Sequence, residues 1–307
     1  MKSFLIKISM FLMFLSLIAI GIFLLADGNS DSYYTNFTSS KQSSLILGTS
    51  KAAQGLQPAV INGVLNRSDV NNFAFTVAHS PYGPVYLKAI KKKIDTNTKD
   101  GIFIVTVDPY SVSGRHKDAN DVGLFRENDK FLATVSSVTS NPNFEYLYQE
   151  YSYPYIYILT KKCDYIDDDF LHPDGWNEVN ISMKQKDFEV RNKSKIKSYK
   201  KLLKVYKFSD KRYEYFEKTI SFLKDYGDVY IVRLPVSTPF LEMENSVYKE
   251  FDNKITSTSS KFNVPYLDMT KDDKEYEYTD GNHLYKTSGV EVSTLIAKWI
   301  FNHKNFK

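Results

Sequence analysis

Short apolar runs alternate with amphipathic segments along most of the chain. Five of these runs predict β-strands: Ser44–Leu47, Phe73–Val77, Ile102–Val107, Val229–Leu234 and Val264–Leu267. Several are apolar at successive positions rather than at alternate ones, which is typical of strands that are covered on both faces. The sequence therefore predicts a parallel sheet that lies between layers of helices.

Helical periodicity fills the intervals between these runs. Pro84–Ile94 begins with a proline that suits a first helical turn, and Asp210–Tyr226 begins at a capping residue and stops at Gly227. Glu244–Phe262 repeats apolar residues every four positions, and a capping box at Ser288 opens the last helix. The alternation of strands and helices predicts a doubly wound α/β fold.

The stretch from Asp108 to Ser209 interrupts this alternation because its periodicity is weak. It contains a tyrosine-rich run, Tyr146–Tyr157, and a basic run, Lys193–Lys204. A loop of that length without elements of its own would be unusual in a compact domain. It follows the carboxyl end of a strand, which is the edge where open α/β sheets bind ligands. We therefore expect this insertion after the third strand, residues 108–209, to form a cap over the active site.

The amino-terminal segment differs from the rest of the chain. Ile8–Ala26 is apolar apart from two serines, and Lys2 and Lys7 precede it. Its nineteen residues nearly cover a hydrocarbon core of about 30 Å. The lysines predict a single-pass anchor with the body outside the cytoplasm. A cleaved signal peptide is the alternative, although its apolar stretch is usually about 7–15 residues. Residues 1–26 are thus predicted to form an anchor, the polar residues 27–42 a tether, and residues 43–307 the α/β domain.

Composition narrows the functional classes. The chain has 307 residues, of which 42% are hydrophobic, so it can form a large core. A net charge of +4 with interspersed acidic and basic residues argues against a nucleic-acid partner, which requires clustered basic residues. Cys163 is the only cysteine, so no intrachain disulfide can form. The sequence indicates no cofactor, and its histidines and acidic residues lack the spacing of a metalloprotease site.

Two short motifs carry the candidate chemistry. Gly48-Thr49-Ser50 ends the first predicted strand, and Asp280 and His283 form an Asp-x-x-His turn before the last helix. A serine hydroxyl is a weak nucleophile unless a base takes its proton, and an aspartate can orient the imidazole that serves as that base. Each motif also has a structural interpretation, since serine caps helices and Asp-Gly forms turns. Their occurrence in one α/β frame favours a triad of Ser50, His283 and Asp280.

With these motifs the chain resembles the SGNH/GDSL hydrolase superfamily. The resemblance covers the frame from Ser44 to about Trp299, with Gly-Thr-Ser in place of the family's usual Gly-Asp-Ser. It implies a flavodoxin-like three-layer sandwich with a five-stranded parallel sheet. It also implies that Ser50 is the nucleophile, that His283 is the base and that Asp280 orients the base.

Two signatures of that family are poorly matched. The block that contributes an oxyanion-hole glycine should follow the second strand, where Gly83 is the nearest glycine and an amide around Ala78 would serve equally well. The amide of Ser50 completes the predicted oxyanion hole. The Gly-x-Asn-Asp block expected after the third strand is absent, and residues 107–110 stand in its place as Val-Asp-Pro-Tyr. The loss of one such donor can lower a rate by about 10²–10³.

The anchor, the insertion and the altered block are similar to the envelope branch of the superfamily, which includes polysaccharide O-acyltransferases and esterases. The layout is also similar to that of the D-alanyl-transfer protein of teichoic acid synthesis. The resemblance implies a serine-dependent acyl ester hydrolase or acyltransferase that acts on a cell-envelope glycan or related polymer through an acyl-serine intermediate. Envelope-assembly proteins would be further partners. The alternative is a catalytically inactive scaffold or binding protein on the same fold.

Overall fold

The secondary structure is described by a computed structural model that covers residues 1–115, 118–160, 169–272 and 274–305. Cys163 lies outside these ranges. Within them the strands are β1 (Ser44–Leu47), β2 (Val70–Asn72), β3 (Gly101–Thr106), β4 (Ser113–Gly114), β5 (Asp169–Leu171), β6 (Asn177–Val179), β7 (Lys207–Phe208), β8 (Gly227–Arg233) and β9 (Tyr266–Asp268). The helices of the same ranges are α1 (Lys2–Phe23), α2 (Tyr34–Thr38), α3 (Ser50–Gly55), α4 (Pro58–Leu65), α5 (Pro84–Lys93), α6 (Phe131–Thr134), α7 (Phe144–Gln149), α8 (Ile156–Thr160), α9 (Gln185–Leu203), α10 (Asp210–Leu223), α11 (Thr238–Val247), α12 (Phe251–Phe262) and α13 (Lys286–Asn305).

The central sheet has five strands in the order β2-β1-β3-β8-β9, and every neighbouring pair is parallel. In the register of the central strands, Ile46 lies beside Ile104 and Ile104 lies beside Tyr230. This strand order is the flavodoxin-like one, in which the chain winds in both directions from β1. The predicted fold class, an α/β sandwich with a five-stranded parallel sheet, is confirmed.

Successive residues of each central strand pack into two different cores. Leu45 and Phe103 face the core that also contains residues of α5, α10 and α12. Ile46 and Ile104 face the core that contains residues of α3, α4 and α13. All six residues of β3 are buried, which explains why its sequence is continuously apolar. Each large side chain buried in this way stabilises the fold by about 1.5–3 kcal/mol.

The second strand differs from its prediction. The apolar run Phe73–Val77 is not the strand; the strand is Val70–Asn72, just before it. The side chains of Phe73 and Phe75 are buried. Phe73 N–H still donates to the carbonyl of Ile46 in β1, but side chains accept the next two N–H groups: Ala74 N–H donates to Asn72 Oδ1 and Phe75 N–H donates to Ser80 Oγ. Beyond Phe73 the run is therefore apolar because of core packing and not because of strand pairing.

The predicted helix Glu244–Phe262 is two helices, α11 and α12. They are separated at Tyr248, whose backbone is not helical (φ −119°, ψ 56°). The Tyr248 ring is buried, and its hydroxyl accepts a hydrogen bond from Ser113 Oγ at 3.1 Å. This contact favours a break where the apolar spacing alone predicts a continuous helix.

The stretch between β3 and α10 contains helices and two small antiparallel two-stranded sheets rather than a long loop. Strands β4 and β7 pair with each other, so the stretch leaves and rejoins the frame at neighbouring positions. Phe131, Tyr146, Leu147 and Ile158 pack into the same core as α5 and α10. Helix α9 is the longest element of the stretch, and Tyr199 is its buried residue.

Residues 27–42 pack against the domain, which differs from the tether predicted by their polar composition. Tyr34 and Phe37 are buried in the core together with residues of α5. The buried Lys93 Nζ donates hydrogen bonds to the carbonyls of Phe37 and Ser39 at 3.0 and 2.7 Å. Burial of two aromatic rings outweighs the polarity of the surrounding residues. Upstream, α1 is long and apolar enough to cross a membrane.

Candidate active site

Ser50 lies at the carboxyl end of β1, where a tight turn leads into α3. Gly48 has φ +147°, and a Cβ atom there would lie 1.9 Å from Thr106 Oγ1, so the turn requires glycine. Thr106 Oγ1 donates to the carbonyl of Leu47 at 2.9 Å, and Ser80 Oγ donates to the carbonyl of Gly48 at 2.7 Å. These bonds fix the turn and leave Ser50, the first residue of α3, partly exposed.

Asp280 and His283 lie on a turn that precedes α13. The Oδ1 atom of Asp280 accepts the backbone N–H groups of Asn282 and His283 at 2.9 and 3.0 Å. Gly281 has φ +86°, and a Cβ atom there would lie 2.6 Å from the Phe240 ring. The turn therefore depends on glycine at 281 and on the carboxylate at 280, which also aligns the histidine side chain.

The fold brings the three predicted side chains into one hydrogen-bonded row. Ser50 Oγ lies 2.8 Å from His283 Nε2, although 233 residues separate them in the sequence. His283 Nδ1 lies 2.9 Å from Asp280 Oδ2 and 3.1 Å from Asp280 Oδ1. When Nδ1 carries the proton and donates to Asp280, Nε2 is free to accept the proton of the serine hydroxyl. The row has the geometry of a nucleophile, a base and a residue that orients the base.

Burial, assisted by two nearby cations, keeps the imidazole of the row neutral. Burial lowers the pKa of His283, the carboxylate of Asp280 partly opposes that effect, and the cations of Lys195 and Lys51 lower the pKa further. Burial raises the pKa of Asp280, but the charge of His283 and that of Lys195 outweigh burial, so its pKa lies below the usual range. At neutral pH the aspartate is therefore ionised and the histidine can accept a proton.

Two cavities adjoin Ser50. The larger, of about 240 Å³, is lined by Ser50 and His283 and by the rings of Tyr110, Tyr199 and Tyr206. Other residues of the 108–209 stretch, including the Lys195 and Leu202 side chains of α9, also line it. The smaller cavity, of about 20 Å³, is lined by Ser50 together with small or apolar residues such as Ala53, Ala74 and Phe75. The larger one has room for a sugar-sized group beside the serine.

Ala78 and Gly83, the predicted oxyanion-hole residues, are not among the residues that line either cavity. The N–H of Ala78 already donates to Thr76 Oγ1 at 3.2 Å. A Cβ atom on Gly83 would lie 2.6 Å from Glu127 Oε1 and 3.3 Å from an Arg212 nitrogen, so this glycine lies against a different ion pair. Strand β2 ends at Asn72, five residues before the end of the apolar run on which this prediction was based, so Ala78 and Gly83 lie further beyond the strand than expected.

Asp108 stands where the Gly-x-Asn-Asp block was expected after β3, and its carboxylate accepts hydrogen bonds. Asp108 Oδ1 accepts the backbone N–H groups of Tyr110 and Ser111, at 2.8 and 3.1 Å, and Thr49 Oγ1 donates to Asp108 Oδ2 at 3.4 Å. An ionised carboxylate cannot donate a hydrogen bond to an oxyanion. Asn282 lines the same cavity as Ser50, and its Oδ1 has no hydrogen-bond partner within the described ranges.

Helix α9 contacts the turn that carries Asp280. Lys195 Nζ lies 3.1 Å from Asp280 Oδ2, and Arg191 Nε donates to the carbonyl of Thr279 at 2.9 Å. The basic run Lys193–Lys204 includes Lys195, but its sequence does not predict this contact. No spacing within a run of lysines distinguishes the one that reaches a distant carboxylate.

A buried ion network lies beside the row. Lys51 Nζ contacts Glu244 Oε1 at 2.8 Å, and the same carboxylate accepts from Tyr199 at 3.0 Å and from Arg233 at 3.2 Å. Arg233 also pairs with Asp252 at 2.6 Å. Burial raises the pKa of Glu244, but Lys51 and Arg233 outweigh that effect, so its pKa is lowered and it stays ionised. The sequence does not predict this network, because Lys51 is 193 residues from Glu244 and no local motif links the other members.

No protein-family model matches the chain, and no curated protein matches it. Among solved structures, the chain is similar to Est24, a carbohydrate acetylesterase from Sinorhizobium meliloti, with 9% sequence identity and a TM-score of 0.40. The match covers 85% of this chain and 99% of that one. Similarity at that level says nothing about a shared activity.

Proposed function

We propose that the protein is a serine-dependent acyl ester hydrolase or acyltransferase. The observation that carries this proposal is the row in which Ser50 Oγ lies 2.8 Å from His283 Nε2 while Asp280 holds the opposite ring nitrogen. A buried neutral imidazole between a hydroxyl and an ionised carboxylate is the arrangement that activates a serine for acyl transfer. A serine that only capped α3 would not require this imidazole.

The reaction proceeds in two steps. In the first, Ser50 Oγ attacks the acyl carbonyl while His283 Nε2 takes the hydroxyl proton, and the tetrahedral intermediate expels an alcohol that receives this proton from His283. The product is an acyl ester on Ser50. In the second, water or an acceptor hydroxyl attacks that ester, with His283 again taking and returning the proton. Asp280 stabilises the imidazolium during each step.

The oxyanion of each intermediate needs hydrogen-bond donors close to Ser50. The N–H of Ser50 opens α3, where backbone N–H groups have no acceptor within the helix. The side-chain amide of Asn282 lies in the same cavity and can supply a second donor, in place of the asparagine that the third block lacks. We therefore assign the oxyanion hole to Ser50 and Asn282 instead of Ala78 and Gly83.

The larger cavity supports a glycan or related envelope polymer as the substrate. Tyr110, Tyr199 and Tyr206 line its wall and supply apolar ring surface for a sugar, while the hydroxyl of Tyr199 is held by Glu244. The hydroxyl of Tyr110 is buried and has no hydrogen-bond partner among the described residues, so it can bind a substrate hydroxyl. Helix α1 supports a location at the membrane, with residues 43–307 on the extracytoplasmic side and residues 108–209 as the cap.

A catalytically inactive scaffold in envelope polymer assembly is the second candidate function. The observation that favours it is Asp108, an acceptor at the position where the third block should supply a donor. A protein on this fold could retain the cavity for polymer binding without turning over an ester.

Labelling with a fluorophosphonate probe separates the two functions. We expect the full-length protein in detergent to be labelled at Ser50, and Ser50→Ala and His283→Ala to reduce labelling by at least about 10³-fold. Ser198→Ala is the matched control, because Ser198 lines the same cavity on α9 and should not be the nucleophile. Labelling that survives in Ser50→Ala, or no labelling in a folded wild-type sample, would support the scaffold.

A further inference from the structure

Exposed apolar and aromatic side chains are concentrated in one part of the domain. Outside residues 1–25, the described residues include thirteen large hydrophobic side chains that are exposed, and seven of them lie between residues 144 and 159. These seven, which we name the 144–159 surface, are Phe144, Tyr148, Tyr153, Tyr155, Ile156, Tyr157 and Leu159. Scattered apolar side chains are normal on a protein surface, whereas a cluster of this kind indicates a contact.

The 144–159 surface belongs to elements that are anchored in the core. Tyr146 and Leu147 of α7 are buried, and Tyr146 Oη donates to Asp31 Oδ1 at 2.9 Å. Ile158 of α8 is fully buried in the same core, while its neighbours Tyr157 and Leu159 are exposed. The exposed rings are therefore held outward by buried neighbours.

This surface lies beside the carboxyl-terminal end of α1. The ring of Phe23, the last residue of α1, lies 6.0 Å from the Phe144 ring and 5.2 Å from the Tyr155 ring, measured between centroids. The 22 residues of α1 are about 33 Å long, close to the thickness of a hydrocarbon core. If α1 spans the membrane, Phe23 lies at its outer boundary and the 144–159 surface lies at the same level.

The composition of the stretch suits the boundary between lipid and water. Residues 141–160 include six tyrosines and no lysine or arginine. Tyrosine is enriched at this boundary because its ring is apolar and its hydroxyl is polar. The two acidic residues, Glu145 and Glu150, accept hydrogen bonds from Ser136 and Thr134. Attraction to anionic headgroups therefore cannot be the main contribution, and apolar contact must dominate.

We propose that the 144–159 surface is inserted in the headgroup layer of the bilayer and acts as a second membrane contact beside α1. The proposal rests on the membrane-spanning role proposed for α1 and is independent of the proposed catalysis. Since residues 27–42 are packed on the domain, these two contacts hold the domain against the bilayer in one orientation. The cavity beside Ser50 then stays at a fixed height above the lipid surface.

Site-directed spin labelling of the full-length protein in phosphatidylglycerol–phosphatidylcholine vesicles tests this proposal. Labels at Tyr148→Cys and Ile156→Cys, in a Cys163→Ser background, should show a several-fold higher ratio of oxygen to nickel-chelate accessibility than labels in water. The controls are Val190→Cys and Val290→Cys, which replace exposed valines on α9 and α13 away from this surface. Sodium chloride at high concentration should leave the ratio unchanged, because the stretch carries no basic residue.

A label at Leu15→Cys, near the middle of α1, distinguishes the two ways in which the proposal can fail. If Leu15 reports hydrocarbon while positions 148 and 156 match the controls, the 144–159 surface lies in water and the proposed second membrane contact is wrong. If Leu15 also matches the controls, α1 does not span the bilayer and the proposal is wrong at its premise. Both outcomes leave the labelling of Ser50 unaffected, so neither bears on the proposed catalysis.

Discussion

Two polar clusters lie side by side at the carboxyl edge of the sheet, and successive residues of α3 supply one member of each. Ser50 belongs to the row with His283 and Asp280, and it is partly exposed beside a cavity of about 240 Å³. Lys51 belongs to the network with Glu244 and Arg233, in which all three side chains are buried and paired. Both clusters are close to the same turn, but only the first presents a partly exposed hydroxyl group to the cavity.

We expect the row to determine the reaction rate and the network to determine the stability of the fold. In the row, a proton can move from Ser50 to His283 while the total charge of the cluster stays the same. In the network, the removal of one charge leaves another buried without compensation, which is costly. Changes in the row should therefore alter rate more than stability, and changes in the network should alter stability first.

Asp280→Asn should cause the largest change, a loss of activity with little loss of stability. In serine hydrolases with this geometry, the amide in place of the carboxylate stabilises the wrong tautomer of the histidine and lowers kcat by about 10⁴. The asparagine can still accept the N–H groups of Asn282 and His283, so we expect the turn and the melting temperature to change little. Hydrolysis of an activated acetate ester, measured beside thermal unfolding, checks both parts. A variant that loses its fold along with its activity would remove the distinction between the clusters.

Glu244→Gln should instead lower the stability of the fold. The amide leaves the charges of Lys51 and Arg233 buried with one fewer partner, which typically costs about 3–5 kcal/mol of unfolding free energy. Denaturant unfolding measures this loss, and Glu242→Gln is the matched control because Glu242 is exposed on the same helix. The control should stay within about 0.5 kcal/mol of the wild type. Equal stability of the two variants would show that the network does not stabilise the fold.

The stabilisation that Glu244 provides should decrease at low pH. The pKa of Glu244 is lower in the folded chain than in the unfolded chain. The ionised Glu244 therefore contributes fully to stability above the pKa of the unfolded chain, about 4.3. This contribution is lost as the pH falls through the lower pKa of the folded chain. The difference in stability between wild type and Glu244→Gln should narrow below about pH 4.

The frame and the row were predictable because their signals are local. The apolar runs within β1, β3 and β8 are buried, which makes them continuously apolar, and the Gly48-Thr49-Ser50 and Asp280-x-x-His283 motifs can each be recognised within four positions of the sequence. The charged partners were not predictable, since Lys51 and Glu244 are 193 residues apart and neither has a distinctive neighbour. The limits of β2 were missed because core packing and strand pairing produce the same apolar run.

Lys195→Met should have the smallest effect on activity. It removes a charge beside the row and leaves Ser50, His283 and Asp280 in place. The cation of Lys195 lies 3.1 Å from Asp280 and lowers the pKa of His283. Its removal should raise that pKa, so the acidic limb of the kcat/KM profile should move to higher pH, because His283 must be neutral to act as a base. The side chain of Lys195 is 31% exposed, so solvent screens its charge and the shift should be less than about one pH unit.

Two further variants show whether Lys195 positions the row through its charge. Lys195→Arg keeps the cation next to Asp280 and should restore the wild-type limb, whereas Lys197→Met removes an exposed cation from the same helix and should not move it. If Lys195→Met lowers the rate equally at every pH, the lysine acts only by holding α9 in place. A limb that moves to lower pH would contradict the electrostatic role, because the loss of a nearby positive charge cannot make protonation of an imidazole harder. The shift of this limb therefore measures how far the charge of α9 tunes the imidazole of His283.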